Sequence, residues 1–267
     1  MKNWWKKLHP LWYYRDWEMV CNHLENINPE DFDKDDAVWQ RYFTADILRL
    51  TRTEQRRQTK KEHKLHIEPE KHIYTLDFGW YPAGNPKGFY KMIYAVDGDF
   101  ENPISEFQTR NTQEAIDKIE YLLLGHDMKH FHPYPPEYPI RLAPGWQFHW
   151  NHLEQAVEPK HYSDNDESCK EWLMVLDEDV SYFTKKNTHK RNNQIEEQLL
   201  AIDVGWYGSL ENIPAGYYRV LAILDADWVH PILEFRTNSA KQALDKVEEW
   251  MFDIFFSQAF IDNKNFS

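Results

Sequence analysis

The sequence is poor in cysteine and glycine, and it contains no long apolar run. Its 267 residues include two cysteines and nine glycines, too few for a disulfide framework or for several phosphate-binding loops. No stretch approaches the roughly 18 apolar residues that a membrane-spanning helix needs, and the basic start of the chain is not followed by an apolar signal core. We therefore expect a protein of the reducing cytoplasm with no membrane partner.

Basic residues are in deficit as well. Lys and Arg number 31 against 44 Asp and Glu, which gives a formal net charge of −13. Such a charge repels a phosphate backbone and attracts basic partners, so it argues against nucleic acid as the main ligand. Aromatic residues, in contrast, make up 16% of the chain, which excludes a disordered chain and predicts a packed core.

Two parts of the chain repeat each other. The run Leu76-Asp77-Phe78-Gly79-Trp80-Tyr81 returns as Ile202-Asp203-Val204-Gly205-Trp206-Tyr207. Downstream, roughly 13 of about 33 positions between Gly88 and Glu120 are identical to those between Gly216 and Glu248. The chain is therefore interpreted as a tandem duplication.

The repeat predicts fold class α+β with two homologous units. Residues 1–127 form the first unit, residues 145–267 form the second, and the proline- and aromatic-rich segment 128–144 joins them. A unit of about 130 residues is large enough to bury a core of its own. We expect each unit to consist of a small antiparallel sheet packed on α-helices.

Residue spacing predicts the elements of the first unit. Helical spacing predicts helices over Trp12–Leu24 and Asp36–Leu50. Branched and aromatic residues bounded by turn residues predict three strands, at Ile73–Phe78, Phe89–Val96 and Ile104–Thr109. Asn111 is a suitable N-cap for a last helix, whose apolar residues recur at helical spacing: Ala115, Ile119, Leu122 and Leu123.

The repeated Asp-x-Gly-Trp-Tyr motif allows two interpretations. In one, Asp77 and Asp203 are catalytic carboxylates beside a stacking Trp. In the other, the motif ends a strand with a Gly bulge, an aromatic anchor and an Asp that accepts hydrogen bonds from turn amides. The motif has no second titrating group at fixed spacing, as acid–base catalysis needs, and this favours the structural interpretation.

No cofactor, metal or catalytic site is predicted. His126, His130 and His132 lack the spacing of zinc ligands. The Asp-x-Asp pairs that follow the second strand of each unit lack the further oxygen ligands of a calcium site. The sequence also has no phosphate-binding loop and no Gly-x-Ser-x-Gly nucleophile motif.

The order of short motifs within each unit resembles small bacterial immunity proteins, which accompany polymorphic and contact-dependent growth-inhibition toxins. The residues that carry the resemblance are Trp17, Asn22, Leu24, Trp39, Asp46, Ile47, Leu76, Asp77, Gly79, Trp80, Tyr81, Gly88 and Tyr90, followed by Phe100, Pro103, Phe107 and Thr109. The resemblance spans each unit in turn and so covers most of the chain. It implies a cytoplasmic protein that binds and blocks a toxin domain without catalysis, and it transfers no interface residues.

Acidic and aromatic residues in loops are the candidates for toxin contact. A basic toxin domain of nuclease type is the expected partner, because opposite charge accelerates association, and homo-oligomerisation is not required. The predicted contact residues are Asp31, Phe32, Asp33, Asp35, Asp36, Asp97, Asp99, Asp164, Asp166, Glu167, Asp225, Asp227 and Trp228.

Two other function classes remain open at this stage. One is a hydrolase-like enzyme with a site between the units, which would use Asp77 or Asp203 with a nearby His. The other is a pseudo-symmetric adaptor protein that uses the aromatic tail Trp250, Met251, Ile254, Phe255 and Phe260. Helical spacing in that tail favours a closing core helix instead.

Overall fold

Ten strands of the described chain form one antiparallel sheet. The computed structural model describes residues 4–13, 16–25, 27–33, 39–55, 71–124, 138–153, 179–191, 194–209 and 212–253. The strands are β1 (Trp17–Asn22), β2 (Leu48–Gln55), β3 (Lys71–Tyr81), β4 (Phe89–Val96), β5 (Ser105–Thr109), β6 (Trp146–Asn151), β7 (Ser181–Arg191), β8 (Gln194–Ser209), β9 (Asn212–Leu224) and β10 (Leu233–Thr237). Their order in the sheet is β10-β9-β8-β7-β6-β1-β2-β3-β4-β5.

Helices are few in the described residues. The α-helices are α1 (Trp39–Tyr42), α2 (Thr112–Leu124) and α3 (Ala240–Phe252), and short 3₁₀ helices span Trp4–Lys7 and Pro29–Asp31. Helices α2 and α3 follow the last strand of each half of the sheet. We call β1–β5 with α2 the first half, and β6–β10 with α3 the second half.

The predicted α+β class, with two homologous tandem units that each have a small sheet of their own, is wrong, because the fold is predominantly β and its sheet is continuous. The first strands of the two halves pair with each other, with Glu18 opposite Gln147. The main apolar core contains buried residues of both halves, from Trp5 to Phe252. The physical reason is that β1 and β6 would each be an open sheet edge in a separate unit, and their pairing satisfies both edges.

Equivalent positions of the two halves meet where the halves join. Leu11 and Ile140 exchange backbone hydrogen bonds at N···O distances of 3.1 and 3.0 Å. Each lies six residues before the first-strand tryptophan of its half, Trp17 or Trp146. Glu18 and Gln147 are likewise equivalent. The sequence repeat therefore appears as a local two-fold axis between β1 and β6, roughly perpendicular to the sheet.

The helices α2 and α3 cover one side of the sheet, which we call the inner face. The indole of Trp17 donates to the carbonyl of Leu123 at the end of α2 at 3.0 Å, and that of Trp146 donates to the carbonyl of Met251 at the end of α3 at 3.3 Å. Both tryptophans are fully buried. These equivalent bonds hold each helix across the first strand of its half, and the opposite side of the sheet is the outer face.

The predicted helix over Trp12–Leu24 is wrong. Its central part is β1, in which Trp17 and Met19 are buried while Glu18 and Val20 are exposed. This is the two-residue period of a strand with one buried side. A register shift between Met19 and Cys21 interrupts the alternation, which makes the pattern less regular in the sequence.

The predicted helix over Asp36–Leu50 is also wrong for most of its length. In the described part of this range, residues 39–50, only the single turn α1 is helical, and the chain then enters β2 at Leu48. Leu48 and Leu50 are fully buried, and Arg49 between them is half-buried. The alternation again decides in favour of a strand, because the alternating leucines reach the inner core only from an extended backbone.

The other predicted elements of the first half are confirmed. The first predicted strand lies within β3, the second coincides with β4, and the third includes all of β5. The predicted last helix is α2. The Asn111 side-chain oxygen accepts hydrogen bonds from the amides of Gln113 and Glu114 at 2.9 and 3.2 Å. This is the expected N-cap, which satisfies two amides of the first helical turn.

The first Asp-x-Gly-Trp-Tyr motif forms the last five residues of β3, so it ends a strand as predicted, but the predicted Gly bulge is wrong. Gly79 pairs in regular register with Lys91 of β4. The aromatic anchor is present, because Trp80 is fully buried. Its indole lies against Gly88, where an added Cβ would be 2.3 Å from Trp80 Nε1. The equivalent Gly216 leaves the same close space for the indole of the second half.

Candidate functional site

The motif aspartates lie in two equivalent rows of side chains on the outer face. Leu76 and Phe78 point into the inner core, so Asp77 between them points outward. The first-half row across neighbouring strands is Cys21, Arg49, Asp77, Ile93 and Glu106. The second-half row is Trp150, Tyr182, Asp203, Leu221 and Glu234. The halves therefore differ most in the two residues on one side of the aspartate.

In the first half, the motif aspartate is neutralised by an arginine on the neighbouring strand. Arg49 Nε donates to Asp77 Oδ1 at 2.7 Å, and Arg49 Nη2 donates to Asp46 Oδ1 at 3.0 Å. The bond to Asp77 raises the pKa of the Arg49 guanidinium above its usual range. The structural interpretation of the motif expected Asp77 to accept hydrogen bonds from turn amides. Asp77 instead forms a cross-strand ion pair.

In the second half, Tyr182 stands where the first half has Arg49. Asp203 is only 4% exposed. Burial, and then the nearby carboxylate of Asp179, raise the pKa of Asp203 to about 7, while Arg219 lowers it. Arg219 itself is bonded to Glu234 at 3.1 Å. Among the described residues no ion pair reaches Asp203, so this carboxylate lacks the partner that its equivalent has.

The raised pKa of Asp203 predicts a specific pH dependence of stability. The folded-state pKa of about 7 exceeds the usual value of about 3.9, so the folded protein binds this proton more tightly than the unfolded chain. The resulting stabilisation is complete below about pH 4 and is lost as the pH rises through about 7. Between pH 5 and pH 8 we expect Asp203→Asn to gain about 2.5 kcal/mol in free energy of unfolding relative to the wild type.

Urea unfolding of both proteins at the two pH values measures this difference. The comparison with the wild type cancels the contribution of every other titrating group. Parallel pH profiles for wild type and variant would show that Asp203 titrates normally in the folded protein.

Four aromatic rings lie in or beside the row that contains Asp203. We call them the outer aromatic cluster: His149, Trp150, Tyr182 and Trp228. The Tyr182 ring lies 5.1 Å from Trp150, 5.2 Å from His149 and 6.4 Å from Trp228 between ring centroids. Trp228 remains 48% exposed. Burial lowers the pKa of His149, which also bonds Thr184 at 2.8 Å.

The turns after β4 and β9 fix the predicted contact residues Asp97 and Asp225. Both have positive φ angles, 53° and 51°. Asp97 Oδ1 accepts from the amide of Ile73, and Asp225 Oδ1 accepts from the amide of Leu199, each at 2.9 Å. One carboxylate oxygen of each residue therefore ties its turn to the neighbouring strand.

The next acidic pair, Asp99 and Asp227, also stabilises these turns. Asp99 Oδ1 accepts from the amide of Asn102 at 3.1 Å, and Asp227 Oδ1 accepts from the amides of Val229 and His230 at 3.2 and 3.1 Å. The bonds from His230 lower the pKa of Asp227 below its usual range. Asp227 is therefore exposed and ionised at neutral pH beside Trp228.

The two turns do not form one contact patch. Strands β4 and β9 are separated by seven strand spacings in the sheet, which is roughly 33 Å at about 4.7 Å per strand. The two-fold relation places the turns at opposite ends of the sheet. A partner that contacts Trp228 therefore meets the second-half turn, while Asp97 and Asp99 belong to a different region.

The acidic segment around Asp31 lies in the first half. Phe32 is half-buried, with its ring centroid 5.7 Å from Phe43 and 6.2 Å from Trp39, so its ring serves the protein's own packing. Asp31 and Asp33 are exposed, and a groove of 470 Å³ lies alongside, between Glu30 and the start of α2. The remaining predicted contact residues lie outside the described residues: Asp35, Asp36, Asp164, Asp166 and Glu167.

Within the described ranges, no group of three or more His, Cys, Asp or Glu side chains is arranged to hold a metal ion. The helices that the structure describes are all too short or too polar to cross a membrane. Comparison of the chain with protein-family models, with curated proteins and with solved structures finds no match.

Proposed function

We propose that this chain is a cytoplasmic immunity protein that binds and neutralises a cognate antibacterial toxin by direct contact. The observation that supports this most is the half-exposed Trp228, which stacks on Tyr182 in the outer aromatic cluster beside the acidic Asp203 and Asp227. Aromatic side chains in partly desolvated surroundings are the usual energetic centre of a protein interface. Acidic neighbours on a chain of net charge −13 suit a basic toxin domain of nuclease type.

Inhibition of this kind needs binding alone. Opposite net charges accelerate encounter between the two proteins, and an interface of standard size buries about 1,600 Å² in total. The toxin is then blocked in a stoichiometric complex without any reaction catalysed by the immunity protein.

Growth of bacteria that express the toxin tests this proposal. The open reading frame immediately upstream is induced alone and then together with this protein. Rescue of growth, with recovery of a stable one-to-one complex, is the expected result. A toxic neighbour that this protein does not rescue, or a harmless neighbour, would count against immunity.

Trp228→Ala should weaken toxin binding by about 2 kcal/mol, or about thirtyfold, because it removes the exposed ring of the outer aromatic cluster. The matched control is Phe100→Ala, since Phe100 is the equivalent residue of the first half and is 44% exposed. Titration calorimetry with purified toxin gives both affinities. Equal losses for the two variants would remove the outer aromatic cluster from the interface.

An enzyme remains the second candidate, and the specific observation in its favour is Asp203, a buried carboxylate whose pKa of about 7 suits a general base. The molar ratio of this protein to toxin that is needed for protection distinguishes the two functions. An enzyme would neutralise many toxin molecules per chain, whereas a binding protein protects only up to equimolar amounts.

The adaptor alternative depended on an exposed aromatic tail. Trp250 and Met251 of that tail are buried in α3, at 8% and 2% exposure, where they close the core of the second half. Ile254, Phe255 and Phe260 lie outside the described residues. The described part of the tail therefore supports its interpretation as a core helix.

A further inference from the structure

The two halves contain the same pair of carboxylates, once with an arginine side chain bound and once without. In the first half, the guanidinium group of Arg49 bridges two carboxylates, those of Asp77 at 2.7 Å and Asp46 at 3.0 Å. Asp77 is 8% exposed and Asp46 is on the surface. The first half thus shows how this surface of the fold binds an arginine side chain.

The second half keeps both carboxylates and lacks the arginine. Asp203 is equivalent to Asp77 and pairs with position 182, just as Asp77 pairs with position 49. Asp179 is equivalent to Asp46, and each lies one residue before the backbone carbonyl that accepts from the histidine of the Asn-His-Leu segment. The two carboxylates interact, since Asp179 contributes to the raised pKa of Asp203.

Asp203 is the buried member of this pair, and it is without an ion pair or hydrogen bond among the described residues. A buried carboxylate without a cation or hydrogen bond is costly. The equivalent position in the first half shows the chemistry that would relieve this cost, which is a guanidinium group that contacts both carboxylates.

We propose that the outer face of the second half binds an arginine side chain of the toxin, with Asp203 and Asp179 as the anionic partners and the rings of Tyr182 and Trp228 as the adjoining aromatic surface. This inference rests on the proposed function and names the half of the chain that binds the toxin. It also names the chemical group that is recognised. The incoming guanidinium contacts the two carboxylates from beside the Tyr182 ring, as Arg49 contacts Asp77 and Asp46 in the first half.

The chemistry favours arginine over lysine. A planar guanidinium can donate to two carboxylates at once and can stack on an aromatic ring, whereas an ammonium group is a more strongly hydrated point charge. The same sheet already contains this kind of stacking, since the guanidinium of Arg219 lies 5.5 Å from the ring centroid of Tyr207. Because Arg49 fills the first-half site, one arginine is bound per chain.

The first test uses small probes and needs no toxin. N-acetyl-arginine-methylamide is titrated into the full-length protein, and the side-chain carboxyl resonances of Asp203 and Asp179 are followed by NMR. We expect saturable binding with a dissociation constant on the order of 1–10 mM. The matched citrulline compound, which has the same shape without the charge, should not bind.

Two variants test the site itself. Tyr182→Arg supplies the guanidinium from the chain and should reduce arginine-probe binding at least tenfold while it raises the thermal midpoint of unfolding. Asp203→Asn should also reduce probe binding at least tenfold, and it conserves the side-chain shape if Tyr182→Arg does not fold. Phe100→Ala, in the equivalent turn of the first half, should bind the probe as the wild type does.

The outcomes for the site and for the function can be told apart. Probe binding that both variants abolish supports the site, even if the wild type fails to rescue growth and the proposed function falls. Probe binding that is equal for arginine and citrulline, or that is unchanged in Asp203→Asn, overturns the site. If the wild type rescues growth and Asp203→Asn and a folded Tyr182→Arg rescue it equally well, the toxin does not use this site.

Discussion

Replacing Arg141 with Met should destabilise the protein by about 3 to 5 kcal/mol at pH 8. Arg141 lies in the segment that joins the two halves, and its Nη1 contacts both carboxylate oxygens of Glu248 in α3, at 3.2 and 3.1 Å. Its Nε donates to the carbonyl of Leu8 at 2.7 Å. Glu248 is only 1% exposed, so removal of the guanidinium leaves a buried charge without its cation.

The repeat supplies a matched control for this ion pair. Glu120 in α2 is equivalent to Glu248, but Trp12 stands at the place of Arg141. Burial raises the pKa of Glu120 to about 7, and a backbone hydrogen bond from Trp12 opposes this effect. Glu120→Gln should therefore preserve or increase stability at pH 8, because it removes a poorly compensated charge.

Chemical unfolding of the wild type, Arg141→Met, Glu248→Gln and Glu120→Gln at pH 8 checks these expectations. Glu248→Gln should also destabilise, since it leaves the half-buried guanidinium without its anion. A cost below about 1 kcal/mol for Arg141→Met, or an equal cost for Glu120→Gln and Glu248→Gln, would contradict the assigned role of the pair.

The elements that the sequence predicted correctly are those whose signals are local. Helix α2 has both an N-cap, Asn111, and four apolar residues at helical spacing, so its start and its buried side are set by its own residues. Strand β4 is a run of branched and aromatic residues that follows a proline- and glycine-containing turn. Such elements keep their structure whatever packs against them.

The errors arose where long-range pairing decides the structure. The β1 segment contains two buried apolar residues and a register shift, a pattern too short to separate a strand from one side of a helix. The two halves form one sheet because β1 pairs with β6. The sequence does not show that these two equivalent open edges pair with each other. The predicted fold class failed for this reason.

The candidate site was only partly accessible from the sequence. The repeated motif indicates Asp203 as a candidate catalytic group, and the acidic turn after the second strand of the unit indicates Trp228 as a contact residue. The site residues that the sequence did not indicate are His149, Trp150, Asp179 and Tyr182. Arg49 and Tyr182 are recognised as equivalent only from the strand register, which places each opposite the motif aspartate of its half. A helix predicted over Asp36–Leu50 does not place Arg49 beside Asp77.

The other large effect concerns the glycine of the repeated motif. The backbone of residues 44–47 runs directly beside β3, where the Trp80 amide donates to the Thr44 carbonyl at 2.7 Å and the Ile47 amide donates to the Phe78 carbonyl at 3.0 Å. A Cβ on Gly79 would lie 1.8 Å from the Ala45 carbonyl oxygen. That oxygen belongs to the backbone and is held by the flanking hydrogen bonds, so it cannot yield by a side-chain rotation.

Gly79→Ala should therefore cost at least about 4 kcal/mol or prevent folding altogether, because relief of the overlap requires the 44–47 segment to leave β3. Gly98→Ala is the control, since no atom lies within 4 Å of its added Cβ and only its positive φ of 76° is strained. Its cost should be about 1 kcal/mol. Circular dichroism and urea unfolding compare the two variants, and a Gly79→Ala protein as stable as Gly98→Ala would show that the segment moves freely. The motif glycine would then have some role other than this close approach of two backbones.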